Sequence, residues 1–245
     1  MFQLSFTKIE KFLRCPQEYA WYIDKSVYNK YHQDTPPLIF GSIMHAVLND
    51  YYKNLEKSER TKEKMIALFK QKYKANKAKH DAVFKDRKTV TGYAQTAGRE
   101  FTNFLESPLS EIVPYVATEE NIKTDLGGVE LWAKIDRFDT SAKGLKIIDY
   151  KTGKYIEDEP DPLQLDLYAL AAFIKFPEIP IHQKSYYYLY DNRFVEVACS
   201  SGEFKKTREK VLGIAENIQK TKEFKPKKNP KCIWCDFRTI CPLWQ

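Results

Sequence analysis

The chain has 245 residues, enough for one well-buried domain or, less readily, two small ones at roughly 150 residues per domain. A hydrophobic content of 43% permits a packed core, and no apolar run approaches the length of a membrane-spanning helix, so a membrane partner is not expected. The net charge of +7 suits a polyanionic partner, although many soluble proteins carry a similar excess of lysine.

In chain order, the sequence first predicts a helix at residues 7–13, in which Thr7 and Glu10 fit a capping box. Apolar periodicity predicts a second helix at about 40–56. The later elements are lysine-rich helices at about 60–106, three strands at about 115–151, a helix at 162–175, two strands at 184–199 and a final helix at 203–221.

Lysines are concentrated in residues 53–88 and again in residues 205–231. Such runs are either solvated helix faces or a surface that follows phosphates, and the sequence does not separate the two. Sixteen tyrosines could offer stacking platforms for unpaired bases, although Tyr186, Tyr187 and Tyr188 fit a strand more simply. There is no base-reading motif, so sequence-specific recognition is not expected.

Two carboxylates lie on a predicted hairpin. Residues 128–139 and 145–153 are rich in β-branched and aromatic residues, and a short Ser-Ala-Lys-Gly connector joins them. Asp136 and Asp149 therefore fall toward the ends of paired strands. Lys151 lies two residues past Asp149, so on a strand it points to the same face, while Tyr150 points away and leaves its backbone carbonyl for a metal.

These residue types suit the cleavage of a phosphodiester, in which a nucleophile must approach an anion. A divalent cation held by carboxylates polarises the phosphate and activates water, and Asp136 and Asp149 would supply its oxygen ligands. The ammonium of Lys151 could stabilise the developing charge. A salt-bridging Asp-x-Lys pair at an exposed strand end is the simpler alternative.

Three further residues could join this site. His45 lies in the first turns of the helix predicted at about 40–56 and is available as a metal ligand, or is simply packed or solvated. Gln164 and Tyr168 are four residues apart and share one face of the helix at 162–175. They either reach back over the site or are, respectively, an exposed and a core residue.

Four cysteines form a separate group: Cys15, Cys232, Cys235 and Cys241. The chain shows no signal peptide, its amino terminus being amphipathic rather than signal-like, so we expect a cytoplasmic location. Disulfides are rare there, and metal ligation is therefore favoured over buried free thiols. Zinc and an iron-sulfur cluster both fit, and the spacing does not decide between them. Cys199 is most simply a core thiol.

These motifs together resemble the RecB-like branch of the PD-(D/E)XK nuclease superfamily. The similarity is greatest to its iron-sulfur members, the AddB carboxy-terminal nuclease domain and the CRISPR-associated RecB-like exonucleases. It covers nearly the whole chain and is carried by the following segments: 4–16, 41–45, 135–137, 148–153, 164–169 and the three terminal cysteines.

The resemblance implies an α/β (α+β) protein with a restriction-endonuclease-like αβββαβ core, a mixed central sheet, an N-terminal helical cap and a C-terminal cysteine staple. Residues 1–245 would form one domain, with a helical part at 7–110, a catalytic sheet core at 111–200 and the final helix and cysteines at 203–245. It also implies that Mn²⁺ or Mg²⁺ is held by His45, Asp136, Asp149 and the Tyr150 carbonyl.

The resemblance further implies that Lys151 is catalytic, that Gln164 and Tyr168 assist, and that the four cysteines hold a [4Fe-4S] cluster. The function expected is a DNA exonuclease acting on single strands from free ends, in repair, phage replication or CRISPR adaptation. The alternatives are a structure-specific endonuclease, an end-trimming partner of a helicase or integrase, and a non-catalytic nucleic-acid-binding module.

Overall fold

Two mixed sheets and the helices around them make up the described part of the chain, which comprises residues 1–112, 119–157, 161–197 and 199–245 of a computed structural model. The strands are β1 (Phe2–Ser5), β2 (Glu120–Asp125), β3 (Val129–Ile135), β4 (Arg137–Ser141), β5 (Gly144–Lys151), β6 (Ile181–Tyr188) and β7 (Arg193–Val197). The helices are α1 (Phe6–Arg14), α2 (Pro16–Ile23), α3 (Lys25–Tyr31), α4 (Pro36–Lys53), α5 (Lys62–Ala75), α6 (Lys77–Phe84), α7 (Arg87–Glu106), α8 (Pro162–Lys175) and α9 (Ser201–Lys220). This is the mixed α/β, restriction-endonuclease-like architecture expected from the sequence.

The strands are divided between a three-stranded sheet, in the order β1-β3-β2, and a four-stranded sheet, in the order β4-β5-β6-β7. The β1–β3 and β5–β6 pairs are parallel, and the other pairs are antiparallel. Asp136 is the single residue between β3 and β4, so the chain passes from one sheet to the other at a candidate metal ligand.

Alternation along β5 separates two hydrophobic cores. Leu145 and Ile147 face a core formed with α8, α9 and the three-stranded sheet, whereas Ile148 and Tyr150 face a second core formed mainly by α4, α5 and α7. Because successive strand residues point to opposite faces, the side chains of Asp149 and Lys151 lie on the same face of β5 as that of Ile147. The second core also receives Tyr187 from β6.

The predicted hairpin is confirmed as β4–β5, in which Ser141 pairs with Gly144 across the turn. Several sequence-derived boundaries are wrong. The amino-terminal helix is capped by Ser5, whose side chain accepts from Lys8 N at 3.4 Å, and not by Thr7 with Glu10. Helix α4 begins at Pro36 rather than near residue 40, so His45 lies in its middle and not in the first turns.

The sequence interpretation also omitted β1, α2 and α3, and it treated β3 and β4 as one strand. The strand expected to begin near residue 115 starts at Glu120 in the described part, and residues 113–118 lie outside it. The last two strands are β6 and β7, with residue 198 outside the described part. No helix within the described ranges is both long and apolar enough to cross a bilayer.

Candidate active site

One open cavity of about 510 Å³ lies between α4, the end of β3, β5 and α8. Every catalytic or divalent-metal residue predicted from the sequence lines it: His45, Asp136, Asp149, Tyr150, Lys151, Gln164 and Tyr168. The same cavity is also lined by Glu119, Lys134 and Thr152, which the sequence interpretation did not include in the site.

Asp136 is fixed by contacts with two other elements. Its Oδ2 accepts a hydrogen bond from the Tyr150 backbone N at 2.8 Å, and its Oδ1 lies 3.0 Å from Nδ1 of His45. The Asp136 residue is 6% exposed. The first contact links the β3–β4 junction to β5, and the second links it to α4, so the carboxylate has a defined position before any ligand arrives.

Gln164 connects the two residues of the Asp-x-Lys motif. Its Nε2 donates to Asp149 Oδ1 at 3.1 Å, and its Oε1 accepts from Lys151 Nζ at 2.8 Å. Gln164 lies in the first turn of α8, which is capped by the side chain of Asp161 and begins with Pro162, as is common at helix starts. Tyr168, one turn later, accepts from Gln164 Nε2 at 2.9 Å.

The buried carboxylates alter the electrostatics of the cavity. Burial and the neighbouring Asp136 raise the pKa of Asp149, and the nearby charge of Lys151 offsets only part of this effect. Burial disfavours the imidazolium of His45, but the carboxylates of Asp136 and Asp149 outweigh burial and raise its pKa. Burial and the charge of Asp149 raise the pKa of the Tyr168 hydroxyl, which is therefore neutral at physiological pH.

The donor set fits a hard divalent cation. Asp149 Oδ2 is buried and accepts no hydrogen bond of good geometry, although Lys151 Nζ lies 2.7 Å from it. Carboxylate oxygens suit Mg²⁺ and Mn²⁺, and an imidazole is tolerated better by Mn²⁺. Within the described residues, however, no three His, Cys, Asp or Glu side chains already adopt a metal-binding arrangement, and His45 Nδ1 instead contacts Asp136.

A buried acid behind the cavity was missed from the sequence. Glu100 of α7 is fully buried, its Oε1 accepts from Gly153 N at 3.0 Å, and its Oε2 has no hydrogen-bond partner. Burial raises the pKa of Glu100 to about 7. Glu100 shares one face of α7 with the buried residues Ala97, Phe101 and Phe104. An acid on an otherwise apolar helix face indicates a buried carboxyl group, and this pattern could have identified Glu100 from the sequence.

The four terminal cysteines meet in a second, much smaller cavity. Cys15, Cys232, Cys235 and Cys241 all line it, and all are free thiols. The Lys227 backbone N–H donates to Cys15 Sγ at 3.3 Å, and the Asn229 backbone N–H donates to Cys232 Sγ at 3.3 Å. The carboxy-terminal segment is thereby brought onto α1 and α2.

The chemistry of this second group fits a thiolate-bound metal centre, because four sulfurs converge and two of them receive backbone hydrogen bonds. The described side chains do not already stand in a ligating arrangement here either. Cys199 lies apart from this cavity, and its thiol donates to Ile181 O at 3.4 Å. It packs against the first core, as expected for a structural thiol.

The cavity brings together the carboxylates, the lysine and the glutamine that the sequence analysis assigned to a nuclease site. The chain belongs to the PD-(D/E)XK nuclease superfamily, whose family model matches residues 3–242. Members of this superfamily are metal-dependent nucleases, and the match therefore supports nuclease activity at the class level. No curated protein matches the chain.

Solved structures similar to it include the following two. A "Putative exonuclease" from Eubacterium rectale matches with a TM-score of 0.57 and 11% identity, over 95% of this chain and 86% of that one. At this identity the likeness shows the fold alone. The crystal structure of SSO0001 matches with a TM-score of 0.45 and 14% identity, over 99% of this chain and 87% of that one.

Proposed function

We propose that this chain is a metal-dependent DNA exonuclease that degrades single strands from free ends. The observation that carries the proposal is the hydrogen-bonded triad of Asp149, Gln164 and Lys151 in one open cavity with Asp136 and His45. A surface salt bridge would not require a glutamine that contacts both partners. It would also not require Asp149 to be 3% exposed.

Asp136, Asp149, His45 and the Tyr150 carbonyl would hold the divalent ion. Such an ion would polarise the scissile phosphate and lower the pKa of the attacking water. For His45 to act as a ligand, either its Nε2 binds the ion while Nδ1 keeps its contact with Asp136, or the ring turns and gives up that contact. We expect Mn²⁺ to support cleavage at least as well as Mg²⁺, because Mg²⁺ prefers oxygen ligands.

Lys151 would act directly on the reacting groups. Its ammonium lies between Asp149 and Gln164, so two contacts restrict its position while it remains about one-third exposed to the cavity. A positioned cation there can stabilise the charge that develops on the phosphate oxygens. Gln164 would hold Lys151 and Asp149 at a fixed separation, and Tyr168 would hold Gln164.

A [4Fe-4S] cluster at Cys15, Cys232, Cys235 and Cys241 is the second part of the proposal. Its support is the convergence of four free thiols from the two ends of the sequence on one cavity. Its role would be to hold these ends together. A brown protein with iron and sulfide in cluster stoichiometry is expected after anaerobic purification. A colourless protein with one bound zinc would replace the cluster by a structural zinc site.

The test of the catalytic proposal is digestion of matched linear and circular single-stranded DNA in Mn²⁺, with Lys151→Ala and a chelator as controls. We expect loss of the linear strand only, and no loss in either control. Cleavage of the circle would identify an endonuclease. Retention of DNA without cleavage, by protein with its metal centre intact, would contradict catalysis and leave a binding module.

A further inference from the structure

The outer face of the three-stranded sheet adjoins the catalytic cavity. Alternate residues of its strands are exposed on this face, including Gln3 of β1, Lys123 of β2, and Trp132 and Lys134 of β3. The opposite face is buried against the first core, to which β3 contributes Leu131 and Ala133. The sheet therefore presents one open surface, and Trp132 lies on its central strand.

Trp132 is held in a defined orientation although it is 40% exposed. Its Nε1 donates to Glu130 Oε1 at 2.5 Å, and the same Glu130 oxygen accepts from Gln3 Nε2 at 2.9 Å. Lys123, its direct partner across the β2–β3 ladder, places Nζ 4.1 Å from the centre of the indole ring. An indole fixed in this way loses little side-chain entropy on binding.

The period of the strand connects Trp132 with the catalytic cavity. Trp132, Lys134 and Asp136 alternate with residues buried in the first core, and both Lys134 and Asp136 line the cavity. Four residues of extended strand place the backbone of Trp132 about 13 Å from that of Asp136. A chain whose phosphate lies at Asp136 would therefore reach the indole within a few nucleotides.

We propose that Trp132 is a stacking platform for an unpaired base of the nucleic-acid strand bound in the catalytic cavity. The inference rests on the proposed nuclease function, and it names the part of the surface that selects single strands. Every base has a π-face, so an aromatic platform binds unpaired bases without reading sequence, and a base that remains stacked inside a duplex cannot reach it.

The charged side chains on this face are consistent with a short binding path for a nucleic-acid strand, which runs from Asp136 to Trp132. Lys134 and Lys123 lie beside the path between Asp136 and the indole, and Lys134, whose Nζ is 3.0 Å from Glu119 Oε1, meets a phosphate by exchanging that ion pair. Lys123 is exposed, so its ammonium can leave the ring for a phosphate when a base arrives. Glu130, the next residue on the same side of β3, carries a carboxylate that would repel phosphates, so the binding path ends at Trp132.

The test is binding of a long oligothymidylate with Ca²⁺ in place of Mn²⁺, so that the readout does not need cleavage. Trp132→Ala should weaken binding about 5- to 100-fold, whereas Trp132→Phe should keep most of the affinity, because it retains a ring. Quenching of tryptophan fluorescence on binding should be largely lost in Trp132→Phe. Phe173→Ala is the matched control, since Phe173 is 41% exposed but lies on α8 against Phe204 of α9.

Cleavage kinetics supply a second readout. Trp132→Ala should raise KM for the long strand without lowering kcat, and should leave cleavage of a thymidine dinucleotide unchanged, because a dinucleotide does not reach the platform. Wild-type affinity of Trp132→Ala for the long strand, or equal losses in Phe173→Ala, would overturn the proposal. Binding that depends on Trp132 in a protein that cuts no DNA would instead contradict the nuclease function alone.

Discussion

At the scale of single residues, Gln164 contacts both members of an ion pair whose carboxylate, Asp149, is buried and whose ammonium, Lys151, is about one-third exposed. Asp149 and Lys151 also contact each other directly, at 2.7 Å, but the amide gives each a neutral partner of the right polarity. An ionised glutamate at position 164 could accept from Lys151 but could not donate to Asp149. The glutamine therefore serves both partners at once.

Glu100 gives the first prediction, which concerns stability against pH. Its pKa is raised from 4.5 to about 7 by burial, so the folded protein binds a proton that the unfolded chain releases between these values. The free energy of unfolding should therefore fall as pH rises through this window and level off above about pH 7. The whole loss attributable to Glu100 is about 3 kcal/mol.

Glu100→Gln should remove this dependence, since an amide can still accept from Gly153 N and does not titrate. Urea denaturation from about pH 5 to about pH 8 should show that the free energy of unfolding of the variant increases relative to that of the wild type as pH rises. Glu106→Gln, at the end of the same helix and exposed, is the control and should leave the wild-type profile unchanged. Parallel profiles for wild type and Glu100→Gln would contradict the assignment.

At the scale of elements, the turn of the β4–β5 hairpin depends on Gly144. Its φ is +123°, and a Cβ added there would lie 2.1 Å from the Pro180 carbonyl oxygen, which belongs to the segment leading into β6. The Leu145 backbone N donates to the same oxygen at 2.8 Å. A side chain at 144 would therefore push apart the segments that set the β5–β6 register and the position of Asp149.

Gly144→Ala should destabilise the protein by more than the roughly 1–2 kcal/mol that a positive φ costs any L-residue. Gly128→Ala is the matched control, because Gly128 has a φ of +93° and nothing within 4 Å of an added Cβ. Thermal or urea unfolding of both variants measures the difference. Equal losses of stability would show that the close approach of Pro180 carries no cost.

The candidate site could be predicted further than the fold around it. Asp149, Tyr150 and Lys151 are neighbours on one strand, so period-2 alternation alone places Asp149 and Lys151 together, and the i,i+4 spacing alone joins Gln164 to Tyr168. The parallel pairing of β1 with β3 joins Phe2 to Val129 and has no local signal. A segment as short as β1, with four residues, has too little alternation to be predicted as a strand unless its partner strand is known.

Other differences have local causes. Cys15 alone separates α1 from α2, with an extended φ of −158°, and one residue is too short an interruption to read from periodicity. Pro36 and Pro37 occupy the first turn of α4, where proline is favoured. The two prolines therefore indicate a helix start at residue 36, whereas apolar periodicity alone predicts a start near residue 40. The break between β3 and β4 at Asp136 follows from tertiary contacts with Tyr150 and His45.

At the scale of the whole molecule, the amino-terminal helices and the carboxy-terminal segment are joined around the cysteine cavity. Trp21 contacts Phe237 with ring centroids 5.6 Å apart, and His32 Nδ1 lies 2.7 Å from Asp236 Oδ2. Cys15 and Cys232 are about 200 residues apart in sequence. A shared centre would therefore close a very long loop, whose closure restricts the unfolded chain strongly.

Cys235→Ala should remove the metal centre and lower the free energy of unfolding by on the order of 4–5 kcal/mol, the closure entropy of such a loop. Cys199→Ala is the control, since Cys199 lies outside the cavity, and it should keep both metal and most of the stability. Metal content, visible absorbance and urea denaturation report the result. Unchanged metal content in Cys235→Ala would contradict the assignment of the four ligands.

The most direct test of the nuclease assignment is a Mn²⁺ titration of single-strand cleavage by the wild type, Lys151→Ala and Asp149→Asn, with Lys154→Ala as a nearby lysine control. We expect a rate about 10²–10³-fold lower for Lys151→Ala at an unchanged half-saturating Mn²⁺ concentration. Asp149→Asn should require about 10–100-fold more Mn²⁺, and Lys154→Ala should match the wild type. Cleavage by Lys151→Ala at the wild-type rate, with the same dependence on Mn²⁺ in all four proteins, would contradict the assignment of this cavity as the active site.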